Sequence, residues 1–242
     1  MVAIPAIDII DGRCVRLTEG SFDSVKVYGG HPAATAKSFA QDGAERLHVV
    51  DLDAARGKGD NRPGIATIRE AFSGVLEVGG GVRTSDDVQQ LLDLGADRIV
   101  VGTALATKPK EVEHWISLYG GVFIAGIDAR DGMVKISGWQ QSSEIEAADL
   151  AVQSRDMGMV EIIYTNIARD GTMKGPDIDY AASLADISGI PVILSGGVGS
   201  MSDLEQLAMK PSSGISGIIF GMALYEGRIN LPKAISILGG GI

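Results

Sequence analysis

Short runs of Val, Ile and Leu recur along the chain, near residues 3–7, 46–50, 75–78, 98–101, 122–127, 160–164, 191–194 and 217–220. Their length and aliphatic character suit strands buried on both faces. Between them lie longer segments with helical apolar spacing. Thr84 to Leu94 is one: Thr-Ser-Asp-Asp opens it with capping residues, and its apolar positions then fall on one helical face. Eight strands alternating with helices predict an α/β fold with a parallel sheet, either closed into a barrel or doubly wound.

A repeat within the chain separates these two. Ala6-Ile7-Asp8-Ile9-Ile10-Asp11-Gly12 returns as Gly126-Ile127-Asp128-Ala129-Arg130-Asp131-Gly132, and Val50-Asp51-Leu52 as Thr165-Asn166-Ile167. Val78-Gly79-Gly80-Gly81-Val82 returns as Leu194-Ser195-Gly196-Gly197-Val198, and Ile99 to Leu105 as Ile218 to Leu224. The matches keep their order at offsets of 115 to 120 residues. Periods of 20–50 residues mark solenoids; this one marks two halves of four βα units each. Two such halves make a (βα)8 TIM barrel, for which roughly 250 residues is typical. We expect one domain over 1–242, with half-barrels at about 1–120 and 121–242.

The chain of 242 residues is 45% hydrophobic and 5% aromatic, enough for a large aliphatic core. Its formal net charge of -10 repels nucleic acid and anionic membranes, so neither is an expected partner. An anionic substrate would need a local exception to that field, supplied by backbone N–H groups and helix N-termini. The lone Cys14 excludes an internal disulfide framework and fits the cytoplasm. The first residues lack a basic leader, and no apolar run approaches a membrane span. His31, His48 and His114 show no metal-ligand spacing. The Gly239–Ile242 tail reads as a frayed end without a role.

In a (βα)8 barrel the active site lies at the C-terminal ends of the strands. Asp8 ends the first predicted strand and Asp128 the fifth, so the two face each other across the mouth. Such a pair suits proton removal on one side of a substrate and delivery on the other. An acid directly after an apolar strand is costly unless paired or used, whereas Asp11 and Asp131 read as turn residues.

Gly79-Gly80-Gly81 follows the third strand, Gly102-Thr103 the fourth, Ser195-Gly196-Gly197 the seventh and Gly221 the eighth. Glycine lets a backbone approach an anion closely, and the next helix N-termini add favourable dipoles. The alternative is that these glycines only permit tight βα turns; their recurrence as two equivalent pairs favours two phosphate grips. Two grips flanking two carboxylates imply a small-molecule substrate with a phosphate at each end. Neither a Walker loop nor a dinucleotide fingerprint is present, so no cofactor is expected.

Pro5-Ala6-Ile7-Asp8-Ile9-Ile10-Asp11-Gly12-Arg13-Cys14-Val15-Arg16-Leu17 resembles the opening of the HisA family, the phosphoribosyl-formimino-aminoimidazole-carboxamide ribotide isomerases of histidine biosynthesis. The resemblance continues through Leu47-His48-Val49-Val50-Asp51-Leu52, Val78 to Arg83, Ser137-Gly138-Trp139, Ala168-Arg169-Asp170-Gly171-Thr172, Ser195-Gly196-Gly197 and Ala223 to Gly227. It covers nearly the whole chain. It implies an Amadori rearrangement, aminoaldose to aminoketose, by acid–base catalysis without metal. On this resemblance Asp8 is the base that removes the sugar C2′ proton, and Asp128 the acid that assists ring opening. Thr165 hydrogen-bonds the sugar, and Trp139 folds over the aminoimidazole on a mobile loop. Arg83, Asp170 and Gly171, in the matched motifs, join Gly80, Gly81, Gly102, Thr103, Ser195, Gly196, Gly197 and Gly221 as substrate- or phosphate-binding residues. A monomer is expected.

Three alternatives stand beside this one. Asp51 to Arg62 is similar to an actinobacterial branch that also isomerises phosphoribosyl-anthranilate. That branch has Arg two residues before the loop tryptophan and Ser at the position of Gly79; Ser137 and Gly79 here favour the histidine-only enzyme. The cyclase subunit of imidazole-glycerol-phosphate synthase shares the duplication, but its first strand ends Cys-Leu-Asp, against Ala6-Ile7-Asp8. A non-catalytic sugar-phosphate binder leaves the opposed Asp8 and Asp128 without a purpose. Asn166 also departs from the family pattern, which often has an acid there.

Overall fold

The computed structural model describes residues 1–18, 21–28, 30–210 and 214–239; the predicted tail lies outside it beyond Gly239. Its strands in chain order are β1 (Val2–Ile10), β2 (Arg13–Thr18), β3 (Ser21–Val27), β4 (Arg46–Asp51), β5 (Val75–Gly79), β6 (Arg98–Val101), β7 (Phe123–Arg130), β8 (Met133–Ile136), β9 (Gln141–Glu146), β10 (Glu161–Asn166), β11 (Val192–Ser195) and β12 (Ile215–Phe220). Eight of them, β1, β4, β5, β6, β7, β10, β11 and β12, pair in parallel with two neighbours each and close into a ring. These are the eight predicted strands, and the fold is the (βα)8 barrel.

The helices are α1 (Pro32–Gln41), α2 (Leu52–Arg56), α3 (Arg62–Ala71), α4 (Ser85–Asp93), α5 (Thr103–Thr107), α6 (Pro109–Tyr119), α7 (Ala147–Asp156), α8 (Ile178–Ser188), α9 (Met201–Ala208), α10 (Met222–Tyr225) and α11 (Leu231–Gly239). None is long and apolar enough to cross a membrane. Along β4 burial alternates, with Leu47 and Val49 sealed from solvent in the layer shared with the helices. A separate cluster of Ile4, Ala6, Ile124, Ile163, Ile193 and Ile219 fills the barrel lumen. Each of these isoleucines contributes about 1.5–3 kcal/mol by leaving water, which makes the lumen a rigid floor under the strand ends.

Four strands escape the sequence reading. β2 and β3 extend β1 as antiparallel strands, and β8 and β9 extend β7 in the same way, 120 residues later. The first reversal in each is an Asp-Gly pair. Asp11 and Asp131 have φ of 47° and 53°, the left-handed start that a two-residue hairpin turn needs and that Asp tolerates better than most residues. Both are turn residues, of hairpins that bring later residues back over the barrel mouth.

Loops are braced by amide–carboxylate pairs. Asp51, at the end of β4, accepts from the backbone of Ala54 at 2.9 Å and of Asn61 at 2.6 Å, and from Asn61 Nδ2 at 2.7 Å. Asn61 Oδ1 in turn accepts from the backbone of Gly12, and Asp53 from that of Asp11, which ties the first hairpin to the second loop. In the second half the polarity is inverted. Asn166, at the end of β10, donates from Nδ2 to Asp177 at 2.7 Å. The amide at 166 and the acid at 177 exchange the roles that 51 and 61 hold in the first half, so the missing acid at 166 has a structural counterpart.

Candidate active site

Three carboxylates converge at the C-terminal mouth of the barrel. Asp8 comes from β1, Asp128 from β7, in register with Thr165 on β10, and Asp170 from the loop after β10. The hairpin after β1 folds Arg16 back beside Asp8, and its Nη1 donates to Asp8 Oδ2 at 2.9 Å. The same guanidinium donates to the carbonyl of Ala6 and lies 5.2 Å from the ring centre of Tyr225. Its Nε is buried without an acceptor among the described residues.

The acids differ in proton affinity because their surroundings differ. Burial, then the charge of Asp8, pushes the Asp170 carboxyl up to about 7; Arg16 opposes this, Asp128 adds to it, and the Gly171 N–H opposes it. Burial also raises Asp128 above the ordinary carboxylate range, against the Trp139 indole, the Thr165 hydroxyl and the charge of His48. One mouth therefore holds an ion-paired carboxylate and, near it, a carboxyl that keeps its proton to about neutrality.

The segment between β8 and β9 closes over the mouth. Trp139 Nε1 donates to Asp128 Oδ2 at 2.8 Å, and the Ser137 backbone N–H donates to Thr103 Oγ1 at 3.0 Å. Ser137, Gly138 and Trp139 all have positive φ, of 57°, 63° and 70°. Such a run is uncommon for non-glycine residues and persists here because both ends of the turn are tied.

The glycine loops carry a second function beside any anion contact. Gly80 has φ of 100°, and a Cβ there would run into the carbonyl of Asp51. Gly196 has φ of 85°, and its Cβ would lie 3.0 Å from the carbonyl of Asn166. These two need glycine for close backbone packing. Gly81 and Gly197 adjoin them, and Ser195 sits in register with Thr165. The helices that follow are already capped. Thr84 and Asp87 form a capping box at α4, and Ser200 and Asp203 form another at α9, so those N-termini carry their own carboxylates. Open helix starts lie instead at Gly102 before α5 and Gly221 before α10, neither with a side-chain cap. The dipoles expected behind all four glycine loops are thus free at two of them, one in each half.

Arg83 stands apart from the carboxylates. Its guanidinium donates to the carbonyls of Ala54 and Ala55 at 2.9 Å each and closes the C-terminal end of α2. Gly221 does more than begin α10: a Cβ there would collide with the Arg16 guanidinium. Arg16, Tyr225 and the approach of His48 to Asp128 went unread in the sequence. The signal for Arg16 was present in the Asp11-Gly12 hairpin turn, which forces the next strand back alongside Asp8. Among the described residues no His, Cys, Asp or Glu group is arranged to hold a metal ion.

The profile of the family described as histidine biosynthesis protein matches residues 2–230. The 1-(5-phosphoribosyl)-5-((5-phosphoribosylamino)methylideneamino)imidazole-4-carboxamide isomerase of Trichormus variabilis is 45% identical over 242 residues, covering 100% of this chain and 94% of its own length. The protein of the same name from Thermodesulfovibrio yellowstonii is 46% identical over 241 residues, covering 99% and 98%. That from Geotalea uraniireducens is 42% identical over 238 residues, covering 98% and 97%.

Proposed function

The chain belongs to the histidine biosynthesis protein family, and from that premise we propose that it is the isomerase its relatives are named for. Its substrate is the bisphosphorylated imidazole-carboxamide ribotide, and its reaction the conversion of an aminoaldose into an aminoketose. The observation that carries this reading is the contrast between Asp8, ion-paired with Arg16, and Asp170, which holds its proton to about 7. An isomerisation that opens a sugar ring and moves a proton needs one acid and one base at the same time.

Asp170 donates a proton to the ring oxygen as the C1′–O bond breaks, leaving a double bond between C1′ and nitrogen. Asp8 takes the C2′ proton; the freed electrons form a C1′–C2′ double bond, and the π pair returns to nitrogen. The enol then collapses to the C2′ ketone: C1′ takes a proton from Asp8 and the O2′ hydroxyl loses its own to Asp170, which returns both carboxyl groups to their starting states. The resemblance alone assigns the acid to Asp128. The electrostatics favour Asp170, because Asp128 is engaged by Trp139 and Thr165 while Asp170 has the proton affinity suited to neutral pH. Asp128 and Thr165 then orient the sugar, with Trp139 as their cover. The phosphates lie at the open starts of α5 and α10, beside Gly102 and Thr103 and beside Gly221 and the unpaired Nε of Arg16.

Steady-state turnover on the imidazole-carboxamide ribotide and on phosphoribosyl-anthranilate tests this. Turnover of the first alone is expected, since Ser137 offers no cation to an anthranilate carboxylate. Turnover of both makes the enzyme dual-substrate; turnover of neither overturns the reading.

A further inference from the structure

The floor beneath the carboxylates is polar. Glu77 on β5 has no exposed surface, and both its oxygens are held. Oε1 lies 2.8 Å from Nδ1 of His48 on β4, and Oε2 accepts from Nε of Arg46 at 2.5 Å. Arg46 Nη2 also donates to Glu161 Oε2 on β10 at 2.6 Å, and Glu161 Oε1 accepts from the Ser216 hydroxyl on β12 at 3.0 Å. This chain crosses the lumen of a barrel otherwise filled by isoleucines. At its upper end His48 lies close enough to Asp128 to interact with it electrostatically.

Stability gives little reason for such a chain. Replacing a buried ion pair by well-packed apolar side chains is often neutral or stabilising, and aliphatic residues already fill this lumen. The hydrogen-bond logic is more specific. Burial raises the proton affinity of Glu77, but His48 and Arg46 together outweigh it and keep the group below the ordinary range. An ionised carboxylate only accepts hydrogen bonds, so the nitrogen of His48 that faces it must carry the proton.

We propose that Glu77 is a positioning residue for the isomerisation: by accepting from Nδ1–H of His48 it fixes the imidazole, leaving Nε2 as the nitrogen offered to the Asp128 side of the site. The proposal rests on the acid–base reading above. The charged groups that face this ring are Glu77 on β5 and Asp128 on β7, while Arg46 on the ring's own strand joins Glu77 to Glu161 on β10. Arg98 on β6 is in register with Glu77, but its Nη1 donates to the Asp97 carbonyl.

Glu77→Gln tests this with nearly unchanged volume. Arg46 Nε–H still requires an acceptor, so the amide oxygen turns to Arg46 and the NH2 faces His48. A donor there demands an unprotonated Nδ1, and the tautomer reverses to Nε2–H. Long-range 1H–15N spectra of the ring nitrogens read this directly, with exposed His31 and His114 as internal references. We expect wild-type His48 to be protonated at Nδ1 and the variant at Nε2. The variant's kcat on the imidazole-carboxamide ribotide falls at least about tenfold, while KM stays within about twofold, because binding is untouched and only the transition state loses support.

A wild-type His48 protonated at Nε2 alone overturns the proposal, and this spectrum decides even if the variant fails to fold. A reversed tautomer with unchanged kcat overturns it too. Wild-type protein without turnover sinks the isomerase reading instead, and leaves the grip of Glu77 on the ring to be read from the spectra.

Discussion

Arg16 and Asp8 lie on adjacent strands of one hairpin, yet their 2.9 Å ion pair joins three parts of the mouth. The guanidinium reaches the Ala6 carbonyl in the barrel wall, stacks 5.2 Å from the Tyr225 ring and fills the space left by the absent side chain of Gly221. Asp8, the open start of α10 and the first hairpin are therefore set by one cation. Asp8, Tyr225 and Asp170 all favour its charge, against burial.

Arg16→Met keeps much of the volume and removes that charge. Breaking one partner of a buried pair typically costs about 3–5 kcal/mol, so the melting temperature falls and kcat/KM drops by roughly a hundredfold or more. Arg16 lowers the proton affinity of Asp170, so its loss lets Asp170 keep its proton to higher pH. The expected signature in a pH–rate profile is an alkaline limb moved upward on a much lower plateau. A limb that stays in place separates Arg16 from Asp170.

Trp139→Phe removes the 2.8 Å indole donor to Asp128 and keeps a ring over the mouth. A hydrogen bond to a charged group contributes about 1.5–3 kcal/mol, so kcat is expected to fall about tenfold or more with little change in fold. Tryptophan emission checks the loop itself. The chain has two tryptophans, and Trp115 is only 2% exposed, so acrylamide-accessible emission in the wild type reports Trp139. Substrate should protect it, and the variant should lack that component.

How much of this was legible from the chain depends on where the physical signal lies. The barrel was legible because its strands are aliphatic runs and its halves share an ordered set of motifs. Asp8 and Asp128 were legible as acids placed at the ends of apolar strands. The hairpins were not read, because β8 and β9 are short and mostly polar or half-exposed, as in Gln-Ser-Ser-Glu-Ile-Glu for β9, and their marker is an Asp-Gly turn rather than a hydrophobic pattern. The special status of Asp170 was not legible either. Its proton affinity comes first from burial and then from Asp8, with a smaller push from Asp128, and all three act only after the barrel closes. His48 looked unremarkable as one of three scattered histidines until Glu77 appeared on its neighbouring strand.

Gly80→Ala and Gly196→Ala separate the packing role of these glycines from an anion role. The sequence suggests that a bulky residue at either position mainly raises KM. The structure adds a packing cost, since a Cβ at 80 meets the backbone of Asp51 and one at 196 the carbonyl of Asn166 at 3.0 Å. A non-glycine residue held at such φ costs about 1–3 kcal/mol before any collision. Both variants should lose thermal stability, Gly80→Ala more than Gly196→Ala because its collision is with rigid backbone at closer range. Wild-type melting temperatures with a raised KM would restore the simple phosphate-grip role.

Asp170→Asn tests activity and stability together, in opposite directions. Its folded proton affinity, about 7, lies above the roughly 3.9 of an unperturbed Asp. Below pH 4 the group is protonated in folded and unfolded chains and carries no penalty. As pH rises from about 4 to 7 the unfolded chain ionises freely and the folded one does not, so native stability declines by up to about 4 kcal/mol from this group, less with solvent screening. Above pH 7 the loss is complete. Asparagine cannot ionise, so the variant should melt higher than wild type at pH 8 and nearly the same at pH 4.5, while its kcat falls by orders of magnitude and the alkaline limb near pH 7 disappears. Substrate binding, measured by calorimetry, should survive. A variant that is equally destabilised at both pH values, or that keeps the limb near 7, would move the acid back to Asp128, whose carboxyl burial also raises.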